Sequence, residues 1–174
     1  KLIKTLEGGV EPFGERPPDE RRTEFLASRD NWFRPVQLAN GPDGALYIAD
    51  MYREVIEHPW SIPESIKRHL DLNSGNDRGR IYRIVPDKFV QPKVVSLASM
   101  EVTELVGQLE GTNGWHRDTA ARLLYEQRNP ASAGALKRMA REGRSAVGRM
   151  KALWVLEGIS ILDQLDLVTA LKDP

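Results

Sequence analysis

The sequence predicts an α+β protein in which the β part comes first and the α part follows. Three observations predict it. Prolines crowd the first half, and after Pro92 only Pro130 and Pro174 remain. Short apolar runs separated by Gly, Pro, Asn and Asp fill that half, as antiparallel strands do. From about residue 97 the chain is rich in Ala, Leu, Glu and Arg at helical spacing, residues that cost little in a helix. The change of character falls in "VPDKFVQPKVVSL", residues 85–97, where two prolines disfavour regular helix.

In the β part, "KLIKTLE" is a first short strand, and "GGVEPFGERPPDERR" reads as a polar loop rich in Gly and Pro. "TEFLAS" is a further short extended piece. "PVQLAN" alternates at Val36 and Leu38, and "GPDG" supplies a tight turn: proline presets φ, Asp favours the bend, and Gly accepts a positive φ. "ALYIAD" returns as an apolar strand. "EVIEH" is expected as a third strand and "GRIYRIVP" as a fourth. Four such strands make one blade of a β-propeller; three or four are expected here within residues 33–85, and a closed propeller needs at least four blades. The stretch between the last two strands, "PWSIPESIKRHLDLNSGNDR", is a long loop of the kind that is usually functional or a docking surface.

The α part reads as paired helices. Val102, Leu105, Val106 and Leu109 fall at helical spacing, and Gly111 marks a stop. "NGWHRDTAARLLYEQRN", "ASAGALKRMAREG", "SAVGRMKALWVLEGI" and "ILDQLDLVTALKD" follow as four more. Arg117 maps onto Arg149, Ala120 onto Ala152 and Leu124 onto Leu156 at one constant interval, the signature of an α-solenoid with two helices per repeat. Trp115 and Trp154 are expected in the core between repeats. The chain opens on Lys1 and its last helical pattern is short. It is therefore expected to be an internal piece of a longer protein, with residues 1–90 the terminal part of a propeller and residues 91–174 helical repeats truncated at the C-terminus.

Composition narrows the function. Formal net charge is zero, and the basic run "KRMAREGRSAVGRMK" lacks the interleaved aromatics that stack bases, so no nucleic-acid partner is expected. No apolar run is long enough for a transmembrane helix. There is no cysteine, which removes disulfides, thiolate metal sites and thiol nucleophiles from this chain. His58, His69 and His116 are isolated, and no metal site is expected.

The strand geometry picks out one candidate site. Arg34 precedes the inner strand, and Asp50, Tyr52 and Arg53 follow the second, so the four belong at the same end of the sheet. Arg34 and Asp50 are the candidate catalytic pair, and Tyr52 and Arg53 the candidate cofactor-binding residues. A guanidinium beside a carboxylate can orient an acidic cofactor or a hydroxylated substrate. The competing reading is structural, with Asp50 capping the turn and Arg34 pairing with it. Glu57 and His58 could form a base and its orienter, but adjacent strand residues face opposite ways.

The succession "WFRPVQLANGPDGALYIADMYREVIEHPW", "DRGRIYRIVP" and "NGWHRDTAARLL" resembles the planctomycete-type membrane-bound dehydrogenase family. The resemblance covers residues 24–174. It implies a glucose- or sorbosone-dehydrogenase-like propeller followed by HEAT-like repeats, often with a c-type haem domain. It implies a sugar or polyol dehydrogenase of the periplasm, or a secreted one, using pyrroloquinoline quinone or passing electrons to haem c. The remaining propeller blades would be the partners of this piece, and the helical repeats could hold a protein partner. No haem motif and no earlier blades are present, so the isolated chain is expected to be inactive. The alternative is a non-catalytic binding scaffold built from a β-propeller and an α-solenoid.

Overall fold

The computed structural model describes residues 2–5, 12–56 and 58–173. They form a small antiparallel β part followed by several helices, and they divide into two compact units. One unit takes in the chain up to Pro35 together with Asp50–Arg80. The other takes in Val36–Ala49 and everything from Ile81 onward.

The first unit opens with a two-stranded antiparallel ladder, β1 (Leu2–Thr5) and β2 (Pro12–Glu15), in which Leu2 pairs with Glu15 and Thr5 with Pro12. The sequence reading placed β2 inside a loop. Its Pro12 sits at the strand end, where no ladder N–H is needed. "TEFLAS" forms no strand, and its residues are exposed. The long segment after the sheet's second strand carries a 3-10 turn, Pro59–Ser61, and a one-turn helix, α1 (Glu64–Lys67). His58 caps the 3-10 turn, its Nδ1 accepting from the Trp60 N–H at 3.3 Å. The expected third strand at "EVIEH" is absent among the described residues: Glu54–Ile56 have no ladder partner. Glu57, and with it the Glu57–His58 pair, lies outside the described residues.

The sheet therefore has three strands, the smaller of the two numbers expected, because "EVIEH" does not join it. They are β3 (Pro35–Asn40), β4 (Leu46–Asp50) and β5 (Arg80–Ile84), in the order β3-β4-β5. The turn behaves as its residues dictate. Gly44 takes φ +79, the Gly41 N–H donates to the Ala45 carbonyl at 2.9 Å, and Asp43 Oδ1 accepts from the Ala45 N–H at 3.0 Å. Asp43 is buried and also accepts from the Tyr47 hydroxyl at 3.0 Å and from Arg83 Nε at 2.8 Å. Burial works against its charge, but these donors outweigh it and hold the carboxyl below its usual range. Asp43 thus bolts the β3–β4 turn to β5. Ile48 is 2% exposed, whereas Val36 is 47%, Leu38 58% and Ile81 73% exposed, so both outer strands leave apolar side chains uncovered.

The helices are α2 (Val102–Gly107), which tightens into a 3-10 turn at Gln108–Glu110, then α3 (Gly114–Gln127), α4 (Ser132–Glu142), α5 (Ala146–Gly158) and α6 (Gln164–Ala170). α2 packs on α4 and α4 on α6, while α3 packs on α5; α2–α3 and α4–α5 are also in contact. The core between them is Leu97, Leu105, Val106, Leu109, Ala120, Leu124, Leu136, Ala140, Ala152, Val155, Leu156 and Ile159.

Caps recur with the sequence interval. Asn113 Oδ1 accepts from the Trp115 N–H at 2.9 Å, and Ser145 Oγ accepts from the Gly148 N–H at 3.0 Å. Arg117 Nη1 donates back to the Gly111 carbonyl at 2.7 Å, and Arg149 Nη1 donates to the Gly143 carbonyl at 2.9 Å. Ala120 and Ala152 are fully buried at equivalent places, as are Leu124 and Leu156. Trp115 packs against the core, but Trp154 is 73% exposed. The aromatic side chain alone suggested burial; on α5 it falls on the face that none of the described helices covers. Asn113 also reaches the sheet, its Nδ2 donating to the Gly41 and Pro42 carbonyls at 3.2 Å each.

Candidate functional site

Arg34, Asp50 and Tyr52 meet at the strand ends while Arg53 turns away from them, all four within the first unit. Asp50 ends β4 and is the one buried charged side chain among that unit's described residues, 3% exposed. Its Oδ1 accepts the Arg34 backbone N–H at 2.7 Å and the Tyr52 backbone N–H at 2.9 Å. The Met51 N–H donates to the Arg34 carbonyl at 3.0 Å, extending the pairing one residue past the strands. Asp50 Oδ2 is sealed without a hydrogen bond, and Arg80 Nε lies 3.9 Å away. A carboxylate in that position answers two orphan amides at once, and such charge-assisted bonds are stronger than neutral ones.

Arg34 meets Asp50 through its backbone, not its side chain. Its guanidinium turns back on its own loop and donates to the carbonyls of Asn31 and Phe33, the latter at 3.1 Å. The pair expected from sequence is therefore brought together, but as a backbone clamp on a buried acid. The guanidinium nearest the carboxylate is that of Arg80, which also lies over the Tyr52 ring with its Cζ 3.8 Å from the centroid.

Tyr52 is the hub. Its φ of 50 is left-handed, which costs a non-glycine residue about 1–3 kcal/mol unless its surroundings enforce it. Here they do. Trp32 meets its ring edge-on at 5.7 Å, and Gly75, at φ +83, presses so close that a Cβ there would sit 2.2 Å from the Tyr52 carbonyl oxygen. Asp30 accepts from the Trp32 N–H at 3.0 Å; that bond, with the Tyr52 side chain and the charge of Arg80, holds its carboxyl below the usual range. Arg53 points elsewhere. Its Nη2 donates to the Leu72 carbonyl at 2.6 Å, and it lines a cleft with Val55, Ile56, Pro59 and Asn73.

Sequence reasoning missed Arg80, Asp30 and Trp32. Within "DRGR" itself, Arg78 lies 3.8 Å from Asp77. The signal for Arg80 was its place at the start of a strand beside the one that ends in Asp50. Chemically, the arrangement can hold a turn rigidly and bury one charge. The described residues contain no cluster of His, Cys, Asp and Glu that could hold a metal ion. Among them, no helix is long and apolar enough to cross a membrane.

Residues 3–88 match the family described as Domain of unknown function (DUF7133), a span that includes the three-stranded sheet and the Asp50 cluster. No curated protein and no solved structure matches the chain.

Proposed function

We propose that this chain is an assembly module of a sugar- or polyol-dehydrogenase-like protein of the periplasm or the secreted space. In this reading residues 33–85 serve as one propeller-type blade and the helices as HEAT-like repeats, while the reacting groups lie elsewhere in the parent. The dehydrogenase part rests on the resemblance of the sequence. The module part rests on one observation: the outer strands of the small sheet leave Val36, Leu38 and Ile81 uncovered, as a blade does that seats between neighbours. Arg34 and Asp50 then act as the blade's corner rather than as acid and base.

Neither cofactor implied for the parent fits the donor set of this chain. Covalent haem c needs thiols, and there is no cysteine. A polyanionic quinone needs several converging cations, but the Arg34 guanidinium is spent on loop carbonyls and Arg80 faces Asp50 and the Tyr52 ring. The alternative, a non-catalytic scaffold, draws support from Trp154 and Leu171, which are exposed on the helical part and could meet a protein partner.

The test has two arms. The chain alone should bind an environment-sensitive apolar dye through its sheet, and Leu38→Glu with Ile81→Glu should remove most of that signal. Equal dye binding by both proteins would overturn the blade reading. The chain alone should not reduce an artificial electron acceptor with aldoses or polyols, and turnover by this piece would overturn its role as a non-reacting module. Expression of a complete parent reading frame separates the two functions: substrate-dependent acceptor reduction supports the dehydrogenase, and its absence after quinone is supplied supports the scaffold.

A further inference from the structure

Arg53 is half-buried and lines a cleft. Arg83 faces Asp43, and Lys137 faces Asp163 and Asp166. Among the described residues Arg53 has no carboxylate partner. Its Nη2 is held by the Leu72 carbonyl, and its Nε–H is sealed from solvent without an acceptor. A cation so placed has lost part of its hydration and gained no counter-charge, which is costly unless something completes the site.

The surroundings supply the rest of a site. Arg53 opens onto a cleft of about 460 Å³ whose apolar wall is Val55, Ile56, Pro59 and Leu72, with Asn73 at the rim. The cleft is fixed from two directions. On one side the left-handed Tyr52 sets the course of the chain into Arg53. On the other Gly75, two residues after Asn73, is packed on the Tyr52 carbonyl. A pocket held in advance spends less of its binding free energy on ordering.

We propose that this cleft binds a single carboxylate carried on a small apolar body. One guanidinium, with no second cation in the lining, matches one negative charge. A phosphate dianion would leave charge unpaired against the aliphatic wall. A planar carboxylate suits a planar guanidinium, and the apolar wall suits an aliphatic or aromatic tail. The inference does not depend on the blade reading, since no strand of the sheet lines the cleft.

Two sources share this chemistry: a free small acid, and the C-terminus of a peptide. The experiment titrates the full chain and follows the backbone amides of Arg53, Ile56 and Asn73 by NMR. Hexanoate should shift them saturably, and hexanamide should bind about tenfold more weakly or worse, the factor expected for losing a charge-assisted contact. A leucine-terminated tetrapeptide, free or amidated at its end, decides the source: a free-ended peptide tighter than hexanoate assigns the site to chain termini, and a weaker one to small acids. Arg53→Met should abolish the hexanoate response. If that variant fails to fold, Ile56→Glu keeps Arg53 and sets a like charge on the wall, and it should weaken hexanoate about tenfold. No saturable shift, equal binding of hexanoate and hexanamide, or tighter binding of hexyl phosphate would overturn the proposal.

Discussion

The two compact units hold themselves together by opposite means. The unit with the helices has a continuous apolar core, twelve buried residues running from Leu97 to Ile159. The unit around Tyr52 has no buried apolar side chain among its described residues; what it buries is the carboxylate of Asp50. Its cohesion comes from bonds to that acid, from Arg80 and Trp32 on the Tyr52 ring, and from Gly75 packed on the Tyr52 backbone. Apolar packing is non-directional and spreads its stabilisation over many residues. A polar knot is directional and concentrates it in a few, so one substitution can undo it.

Damage to one unit should therefore leave the other intact. Leu124→Ala removes a fully buried leucine from the centre of the helical core. It should cost about 2–5 kcal/mol, read as a lower urea midpoint of the helical circular dichroism signal. Protection of the Arg34 and Tyr52 amides from hydrogen exchange should not follow it. A smaller effect is expected from Asp50→Ala, which strands those two amides and should cost about 1–3 kcal/mol. Their exchange should quicken while the helical midpoint stays where it was. A common loss in both variants would show that the units do not hold themselves up separately.

The helical half was legible because its signals are local. The 3.6 spacing of Leu105, Val106 and Leu109 and the stop at Gly111 each act within about one turn. The turn at Gly41–Gly44 was legible for the same reason. The misses are non-local. β2 exists because Pro12–Glu15 meets Leu2–Thr5, and nothing within "PFGE" signals a partner. "EVIEH" has strand-like residues, but Val55 and Ile56 line the Arg53 cleft and pair with no strand. Asp50 was found as a residue, yet its roles were half seen: the sequence places it after a strand, while its donors sit on Arg34 and Tyr52 backbones and its nearest cation on Arg80. Side-chain type marked Arg34 as a partner for Asp50, and its backbone fills that role.

Charge contributes more weakly within the helical unit, where polar groups link α4 to α6. Lys137 Nζ lies 2.5 Å from Asp163 and 3.2 Å from Asp166, and Arg141 lies 2.7 Å from Asp166, whose side chain is sealed. Asp163 also caps α6, its Oδ1 accepting the Asp166 N–H at 2.9 Å. The ammonium of Lys137 and that N–H pull the Asp163 carboxyl down to about 2. A folded-state value below the unfolded one means that the unfolded chain takes up the proton first. The contribution of Asp163 is thus fully present above the ordinary carboxylate range and is lost as pH falls from about 4 toward 2. Because Asp163 is half exposed, water and salt screen the pair and the effect should be modest. The melting temperature of the chain should drop between pH 4 and pH 2, and Asp163→Asn should flatten part of that drop while lowering the melting temperature slightly at neutral pH. A variant whose acid profile superimposes on that of the parent chain would show that the α4–α6 contact rests on its apolar residues alone, and that the helical unit needs no polar lock of the kind that holds Tyr52.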